Sequence, residues 1–288
     1  MNIELLQIKI QEIKNEINQT VLTNRFTKAT GEIIIKNDGL EAREALIRSE
    51  QLIQKIHEVA KISLFNELIN RNINDFQVHP PINRSSPELD VWGLLKKKKQ
   101  DVVILFQHPT REQITEGPLI GSFDLLGREA TRNSIVVGVR SQLSSIDKNF
   151  DTLMERAFAE TMNLRLRHPE LIMGEVYMLP VREYDEQAMR NNNIVFKNRS
   201  TNIEKFISIF NGISGRVNHN NIHESYKYEK SALILVDFST NPVRIFRNLD
   251  ELKEEGIVSR NYNENYDLLA PQNFASGLIN SYLQRHQR

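Results

Sequence analysis

The side chains of this 288-residue chain that are best suited to chemistry are acids placed beside cationic or amide groups at the ends of predicted strands. Asp101 opens one apolar run, Arg140 and Gln142 close a second, and Glu155 lies in the helical stretch that follows. Carboxylates are ligands that magnesium prefers, and a guanidinium can hold a phosphate through paired hydrogen bonds. Such a set suits phosphodiester hydrolysis, which needs a metal to polarise the phosphate, an activated water and positive charge against the developing negative charge.

Helical periodicity dominates the first 75 residues. Leu6, Ile10, Ile13 and Ile17 recur at spacings of three and four, which predicts an amphipathic N-terminal helix. Asp38, with Glu41 three residues later, has the pattern of a capping box, and a sustained apolar face then predicts a helical region over about residues 40 to 70, with one break allowed.

Short β-type runs follow, interrupted by further helical stretches. Leu89 to Leu95 and Asp101 to Phe106 predict a hairpin joined by the run from Lys96 to Gln100. Further elements are a strand from Ser134 to Val139, a helix between Asp147 and Arg167, a strand from Gly174 to Val181, a helix from Ile203 to Phe210 and a strand from Ala232 to Phe238. Strands around a crossover helix predict an α/β fold whose mixed sheet carries helices on its faces.

This order of elements, together with several motifs, resembles one nuclease superfamily. The quoted stretches are Ile56-His57-Glu58-Val59-Ala60-Lys61, Asp101, Val139-Arg140-Ser141-Gln142-Leu143-Ser144-Ser145, Lys148-Asn149-Phe150, and the run from Tyr226 to Phe238. Over roughly residues 45 to 260 the chain is similar to type II restriction endonucleases of the PD-(D/E)xK superfamily. The resemblance implies a restriction-endonuclease-like core over residues 76–288, with an N-terminal helical region, residues 1–75, packed on it as part of one structural unit.

The resemblance also implies an activity. A bacterial, cytoplasmic enzyme of this class would use Mg²⁺ to cut double-stranded DNA at a specific site in a restriction-modification system. A homodimer would present the same surface to both half-sites of a short palindrome.

The active-site residues that the resemblance implies depart from the superfamily pattern. Asp101 matches the first acid, which holds the metal, but Gly138 and Arg140 stand where an acid and a lysine are expected. Arginine stays protonated near neutral pH and cannot serve as a base, although it can bind a phosphate. The missing metal-binding acid would then come from Glu155 on the following helix, and Gln142 would replace the lysine.

Each of these positions also has a structural interpretation. By helical angle Glu155 faces away from the apolar stripe of its helix, which makes Glu160, at the border of the stripe, the second candidate. Glu58, the acid of the first core helix, is a further catalytic candidate, and its alternative is an ion pair with Lys61. Asp101 would otherwise shape a turn, and Arg140 and Gln142 would otherwise order the serine-rich loop that follows.

Two segments are candidates for contact with DNA. Lys97 and Lys98, in the lysine run of the predicted hairpin, could reach phosphates, although such runs are usually solvated. The exposed loop from Asn211 to Tyr228 includes Arg216, Asn218 and His219, whose side chains can hydrogen-bond to the edges of bases. The histidines of the chain could bind a metal only if distant segments meet.

Composition narrows the alternatives. Lys+Arg and Asp+Glu both number 37, so the formal net charge is zero and overall charge gives no support for binding nucleic acid. Without cysteine there are neither disulfides nor thiolate zinc sites, and no apolar run approaches the roughly 20 residues of a membrane span. Gly138 favours one rival, a non-catalytic DNA-binding or interaction protein on the same scaffold. The absence of a glycine-rich phosphate loop argues against an enzyme of small phosphate substrates.

Overall fold

A six-stranded mixed sheet forms the centre of the fold in the computed structural model, which describes residues 1–286 apart from the side chains of Asp147 and Arg199. The helices are α1 (Ile3–Thr23), α2 (Gly39–Arg48), α3 (Gln51–Asn70), α4 (Gly127–Arg132), α5 (Phe150–Arg165), α6 (Glu186–Arg190), α7 (Ile203–Gly212), α8 (Leu249–Glu254) and α9 (Phe274–His286). The strands are β1 (Arg25–Thr27), β2 (Ile33–Ile35), β3 (Gln77–His79), β4 (Leu89–Trp92), β5 (Lys97–Gln100), β6 (Val102–Leu105), β7 (Glu112–Gln113), β8 (Phe123–Asp124), β9 (Ser134–Ser141), β10 (Ile172–Pro180), β11 (Arg182–Tyr184), β12 (Phe196–Ser200), β13 (Lys230–Asp237) and β14 (Arg244–Ile245).

The strand order of the central sheet is β14-β13-β10-β9-β6-β3. Strands β3, β6 and β9 pair antiparallel, whereas β10 runs parallel to both β9 and β13. Helix α5 makes the crossover between β9 and β10, as a parallel pair requires. The fold is therefore α/β with a mixed sheet, as the order of sequence patterns predicted.

Apolar clusters cover both faces of the sheet. Val137 and Val139 of β9 belong to a cluster with side chains of α1, α3 and α9. Val136 belongs to a second cluster, with side chains of α5 and α7. Because side chains alternate along a strand, Gly138 and Arg140 lie on the face of Val136, beneath α5.

The helical predictions for the first 75 residues are confirmed. Leu6, Ile10, Ile13 and Ile17 are fully buried on α1. Asp38 caps α2 by accepting a hydrogen bond from the Glu41 amide, and the helical region breaks once, between α2 and α3. Among the described residues no helix combines the length and apolar character that a membrane span requires.

The predicted hairpin has a different partner strand. β4 pairs with β5, so the lysine run forms the second strand and is not the connection. β6 instead enters the central sheet between β3 and β9. The run can pair in this way because Lys98 and Gln100 find a carboxylate partner in Glu160. The edge strand β3 and helix α9 are among the elements that were not predicted.

Candidate active site

Three neighbouring strands place one acid on each side of a glycine. Glu175 of β10 pairs with Gly138 of β9, and continuing the β6–β9 register by one residue puts Asp101 opposite the same glycine. All three positions share the sheet face that α5 covers. Because Gly138 has no side chain, the Glu175 carboxylate can occupy the space above it, whereas the Asp101 carboxylate is bound to the Val139 amide.

Asp101 borders a cavity at the carboxyl end of β9. The cavity has a volume of about 540 Å³, and its walls include His57 of α3, Lys99 of β5 and Arg156 of α5. One Asp101 oxygen accepts a hydrogen bond from the Val139 amide at 2.7 Å, which fixes the carboxylate at the start of β6. Burial lowers the pKa of His57, an effect that the neighbouring Asp101 opposes.

Arg140 lines the same cavity and connects two buried acids. Its guanidinium donates to Glu175 through Nη1 and to Glu160 of α5 through Nη2. The Glu175 carboxylate raises the pKa of Arg140 well above its usual value. Burial raises the pKa of Glu175 to about 7 in spite of the arginine. The structure therefore places Arg140 at the same cavity as Asp101, and its ion-pair partners Glu160 and Glu175 were not predicted.

Glu160 is held by three donors. Lys98 lies 3.1 Å away and Gln100 3.3 Å away, in addition to Arg140. Burial alone would raise the pKa of Glu160, but Arg140 and Lys98 outweigh it and the pKa is lowered. Of the two acids considered on α5, it is Glu160, the second candidate, that lines the cavity.

Gln142 also lines the cavity. Its amide nitrogen donates to the Ser144 carbonyl at 2.6 Å, and its amide oxygen accepts from the Tyr177 hydroxyl at 3.3 Å. Gln142 therefore orders the loop after β9, as one interpretation predicted, and it also lines the cavity, where its catalytic role stays a prediction.

Two predicted acids lie away from the cavity. Glu155 is exposed on α5, on the side of the helix opposite the buried stripe, and it does not line the cavity. Glu58 pairs with Lys61 at 2.6 Å and accepts from the Asn83 amide at 2.7 Å. The structure thus gives Glu58 the ion pair that was its alternative, and it brings neither acid to Asp101.

The residues predicted to contact DNA are divided between the two ends of β9 and β10. Lys98 lines the cavity while bound to Glu160, and Lys97 pairs with Asp90 at 2.7 Å. Arg216 is buried, where it donates to the Pro169 and His219 carbonyls. Pro169 precedes the amino end of β10, so the loop carrying Arg216, Asn218 and His219 lies at the opposite end of the strands from the cavity, with Asn218 exposed.

Sequence reasoning missed Glu175. The residue lies in a strand that was predicted, and all nine residues of that strand are buried. An acid within an otherwise apolar buried strand is the signal that could have identified it, because buried carboxylates are rare unless they are paired or functional.

The donor chemistry at this site fits a magnesium ion. Within residues 1–286 no three histidine or acidic side chains form a metal-binding group. Magnesium, however, keeps several waters and commonly takes only one or two protein carboxylates together with substrate phosphates. Asp101 borders the cavity, and the Oε2 atom of Glu175 is buried without a hydrogen-bond partner. These two acids are the ones that would hold the ion.

Comparison with known proteins gave no match to a protein-family model, to a curated protein or to a solved structure.

Proposed function

We propose that this protein is a magnesium-dependent endonuclease of double-stranded DNA, of the type II restriction class. The observation that carries the proposal is the row of Asp101, Gly138 and Glu175 across three adjacent strands, with Arg140 on the same face. Asp101 and Arg140 line an open cavity, and the buried Glu175 holds Arg140 behind its wall. Acids beside a fixed cation suit the hydrolysis of a phosphodiester.

The order of the elements supports the same proposal. An antiparallel set of β3, β6 and β9 is followed by the crossover helix α5 and the parallel strand β10. This is the arrangement implied by the resemblance to PD-(D/E)xK nucleases, with the first acid at the start of the second strand. The expected acid of the third strand is replaced by Glu175 of the fourth, whose carboxylate lies over Gly138.

Arg140 is assigned the role of binding the scissile phosphate. Guanidinium carries five N–H donors, and the two carboxylates orient the group without using all of them. The cavity-facing donors would bind phosphate oxygens and stabilise the negative charge that develops on them. When bound, magnesium would add further positive charge against the same oxygens.

Gln142 and Tyr177 are assigned to positioning at the cavity wall. The hydrogen bond between their side chains at 3.3 Å fixes the amide, whose nitrogen is already bound to the Ser144 carbonyl. Lys98 would keep Glu160 ionised and so help to hold the Arg140 guanidinium in place.

The assembly and setting follow from the proposed activity. A homodimer would present two copies of the cavity to the two strands of a palindromic site. The proposed setting is the bacterial cytoplasm, where a restriction enzyme meets incoming DNA.

Incubation of the purified protein with unmodified phage DNA, with and without magnesium, tests the proposal. We expect discrete fragments with magnesium and none with EDTA. The matched variants are Glu175→Gln, which removes a proposed ligand, and Glu155→Gln, which removes an exposed acid of the same region. Equal cleavage by these two variants would refute the assignment of Glu175, and an inert wild type would refute the nuclease.

A non-catalytic DNA-binding protein on the same scaffold is the second candidate. The observation that favours it is the bridge from Arg140 to Glu160 and Glu175, because a guanidinium already neutralises two acids that could otherwise serve a metal. Duplex binding without cleavage, unchanged by magnesium, would establish this candidate in place of the nuclease.

A further inference from the structure

A second cavity lies at the opposite end of the two central parallel strands. Its volume is about 250 Å³, and it is bounded by α4, by the segment from Arg167 to Glu170 and by His219 and Asn220. Helix α4 precedes the amino end of β9, and the segment precedes that of β10. The eight residues of β9 span about 25 Å, so this cavity is distinct from the candidate active site.

Basic side chains predominate in the walls of this cavity. Among residues 1–286, the ionisable side chains that line it are three arginines, two histidines and one acid: Arg128, Arg132, Arg167, His168, His219 and Glu170. Arg132 pairs with Glu129 of α4 at 2.9 Å, with both side chains exposed, and its contact with Glu170 is long, at 3.6 Å. An anion entering the cavity would therefore meet several cations and one weakly placed carboxylate.

The acids that already contact these arginines hold them loosely. Arg128 pairs with Glu116 at 2.8 Å, but both side chains are largely exposed, and exposed pairs contribute little. Arg167 lies 3.3 Å from Asp124 and 3.4 Å from Glu112, which are long contacts for charged groups. A ligand with several negatively charged oxygens can compete for these guanidinium groups.

Two buried groups at the cavity have atoms without partners. The Arg167 side chain is only 6% exposed, and its Nε has no hydrogen-bond partner. His168 contacts the Trp92 carbonyl through Nε2 at 2.9 Å, which requires the proton on that nitrogen. Its buried Nδ1 is therefore a free acceptor without a donor. Burial and the nearby Arg167 lower the pKa of His168 to about 3, so the ring is neutral at pH 7.

A cluster of buried arginines lies behind the cavity. Within the part of the chain that the structure describes, Glu229 is the only carboxylate that contacts Arg165, Arg216 and Arg285, so the charges of this cluster sum to a positive value. Arg216 also donates to the carbonyls of Pro169 and His219, both of which line the cavity. The cluster therefore fixes two wall segments and adds a positive field behind them.

We propose that this second cavity is a binding site for a phosphate monoester or diester group. The guanidinium groups of Arg128, Arg132 and Arg167 would bind the anionic oxygens of the ligand. The volume accommodates a phosphate with an adjoining sugar. This inference goes beyond the proposed endonuclease, because it requires no cleavage and involves none of the active-site residues.

The phosphate could belong to a free nucleotide or to a DNA backbone, and calorimetric titration distinguishes these sources. The probes are inorganic phosphate, a nucleoside 5′-monophosphate and a short blunt DNA duplex without terminal phosphates, each in EDTA so that DNA stays intact. The test protein is the double variant Arg128→Gln and Arg132→Gln. The control is Arg190→Gln, which changes a similarly exposed arginine in α6, a short helix outside the cavity. Thermal unfolding verifies that the variants remain folded.

We expect at least one probe to bind the wild type, to bind the double variant about tenfold more weakly or worse, and to bind the Arg190→Gln control as it binds the wild type. Loss of binding for phosphate and mononucleotide identifies a free ligand, whereas loss for the duplex alone identifies the DNA backbone. The proposal is overturned if no probe binds the wild type, or if the double variant binds all of them with unchanged affinity.

Discussion

Glu175 occupies the space that a side chain at Gly138 would need. The two residues pair directly across β9 and β10, and a Cβ atom built on Gly138 would lie 2.4 Å from Oε2 of Glu175. An acid at position 138 and an acid at position 175 are therefore alternatives for one volume. In this chain the carboxylate in that volume is Glu175 of the neighbouring strand β10.

This steric exclusion predicts the effect of Gly138→Ala. The added methyl group must displace a fully buried, ion-paired carboxylate, so we expect a loss of about 1–3 kcal/mol in the free energy of unfolding. Gly212→Ala is the control, since nothing lies within 4 Å of a Cβ there. Urea denaturation measures both. If Gly138→Ala lowers the free energy of unfolding by the same amount in a Glu175→Ala background, the methyl group clashes with a group other than Glu175.

The proposed ligand at the start of β6 gives a prediction for cleavage. Asp101→Asn keeps an oxygen that can accept from the Val139 amide, so we expect stability close to wild type. An amide binds magnesium poorly, and we expect cleavage to fall by about 100-fold or more, which corresponds to several kcal/mol of transition-state stabilisation. Cleavage at the wild-type rate in a fragment assay would remove Asp101 from the mechanism.

The acids of α5, α3 and β10 can be ranked by the same assay. We expect Glu160→Gln and Glu175→Gln to reduce cleavage strongly because both carboxylates hold Arg140. Glu155→Gln and Glu58→Gln should change cleavage little, since neither residue lines the cavity. Rates measured over a range of magnesium concentrations separate ligands from positioning groups, because loss of a ligand raises the metal requirement. A large effect of Glu155→Gln alone would restore the sequence-based assignment.

Burial of Glu175 predicts a pH dependence of stability. Its pKa is raised from 4.5 to about 7, so between these values the folded state binds the proton that the unfolded state releases. The contribution of this group to stability is present below about pH 4.5 and declines as pH rises through 7. In metal-free buffer, the stability of wild type relative to Glu175→Gln should therefore fall across this window. Arg140 stays charged throughout this pH range and therefore adds nothing to the dependence of stability on pH. A difference that is constant or increases with pH would contradict the raised pKa.

The buried arginine cluster gives a prediction about stability alone. Glu229→Gln removes a carboxylate that contacts Arg165, Arg216 and Arg285 together, and leaves buried positive charge uncompensated. We expect a loss of about 3–5 kcal/mol. Glu44→Gln, which breaks an exposed pair with Arg48, should cost about 1 kcal/mol or less. Denaturant titration of both variants tests this, and equal losses would show that the cluster is not the cause.

The sequence predicted five of the helices, four strands of the central sheet and one side of the candidate site. Periodicity identified α1, α5 and β10, because long amphipathic helices and buried strands each follow a regular pattern of apolar residues. Asp101 and Arg140 were identified from their positions at the ends of predicted strands. The choice of acid on α5 depends on how the helix is rotated against the sheet. Glu155 and Glu160 lie about 140° apart around the helix axis, so only one of them can face Arg140. The place of Glu175 in the site depends on the pairing of β9 with β10. These strands are separated along the chain by α5, and no local sequence pattern specifies their pairing.

The pairing of β6 with β9 has a consequence for how the length of this chain can vary. Asp101 faces the cavity only in its present register, and a one-residue shift would turn it toward the apolar cluster that contains Val137 and Val139. An insertion or deletion between Asp101 and the end of β6 would therefore remove the carboxylate from its position at the cavity. The connection from residue 107 to residue 133 carries no residue that lines the cavity, so it can gain or lose residues without moving the acid. Related chains that keep the site should thus differ in length within this connection and not within β6.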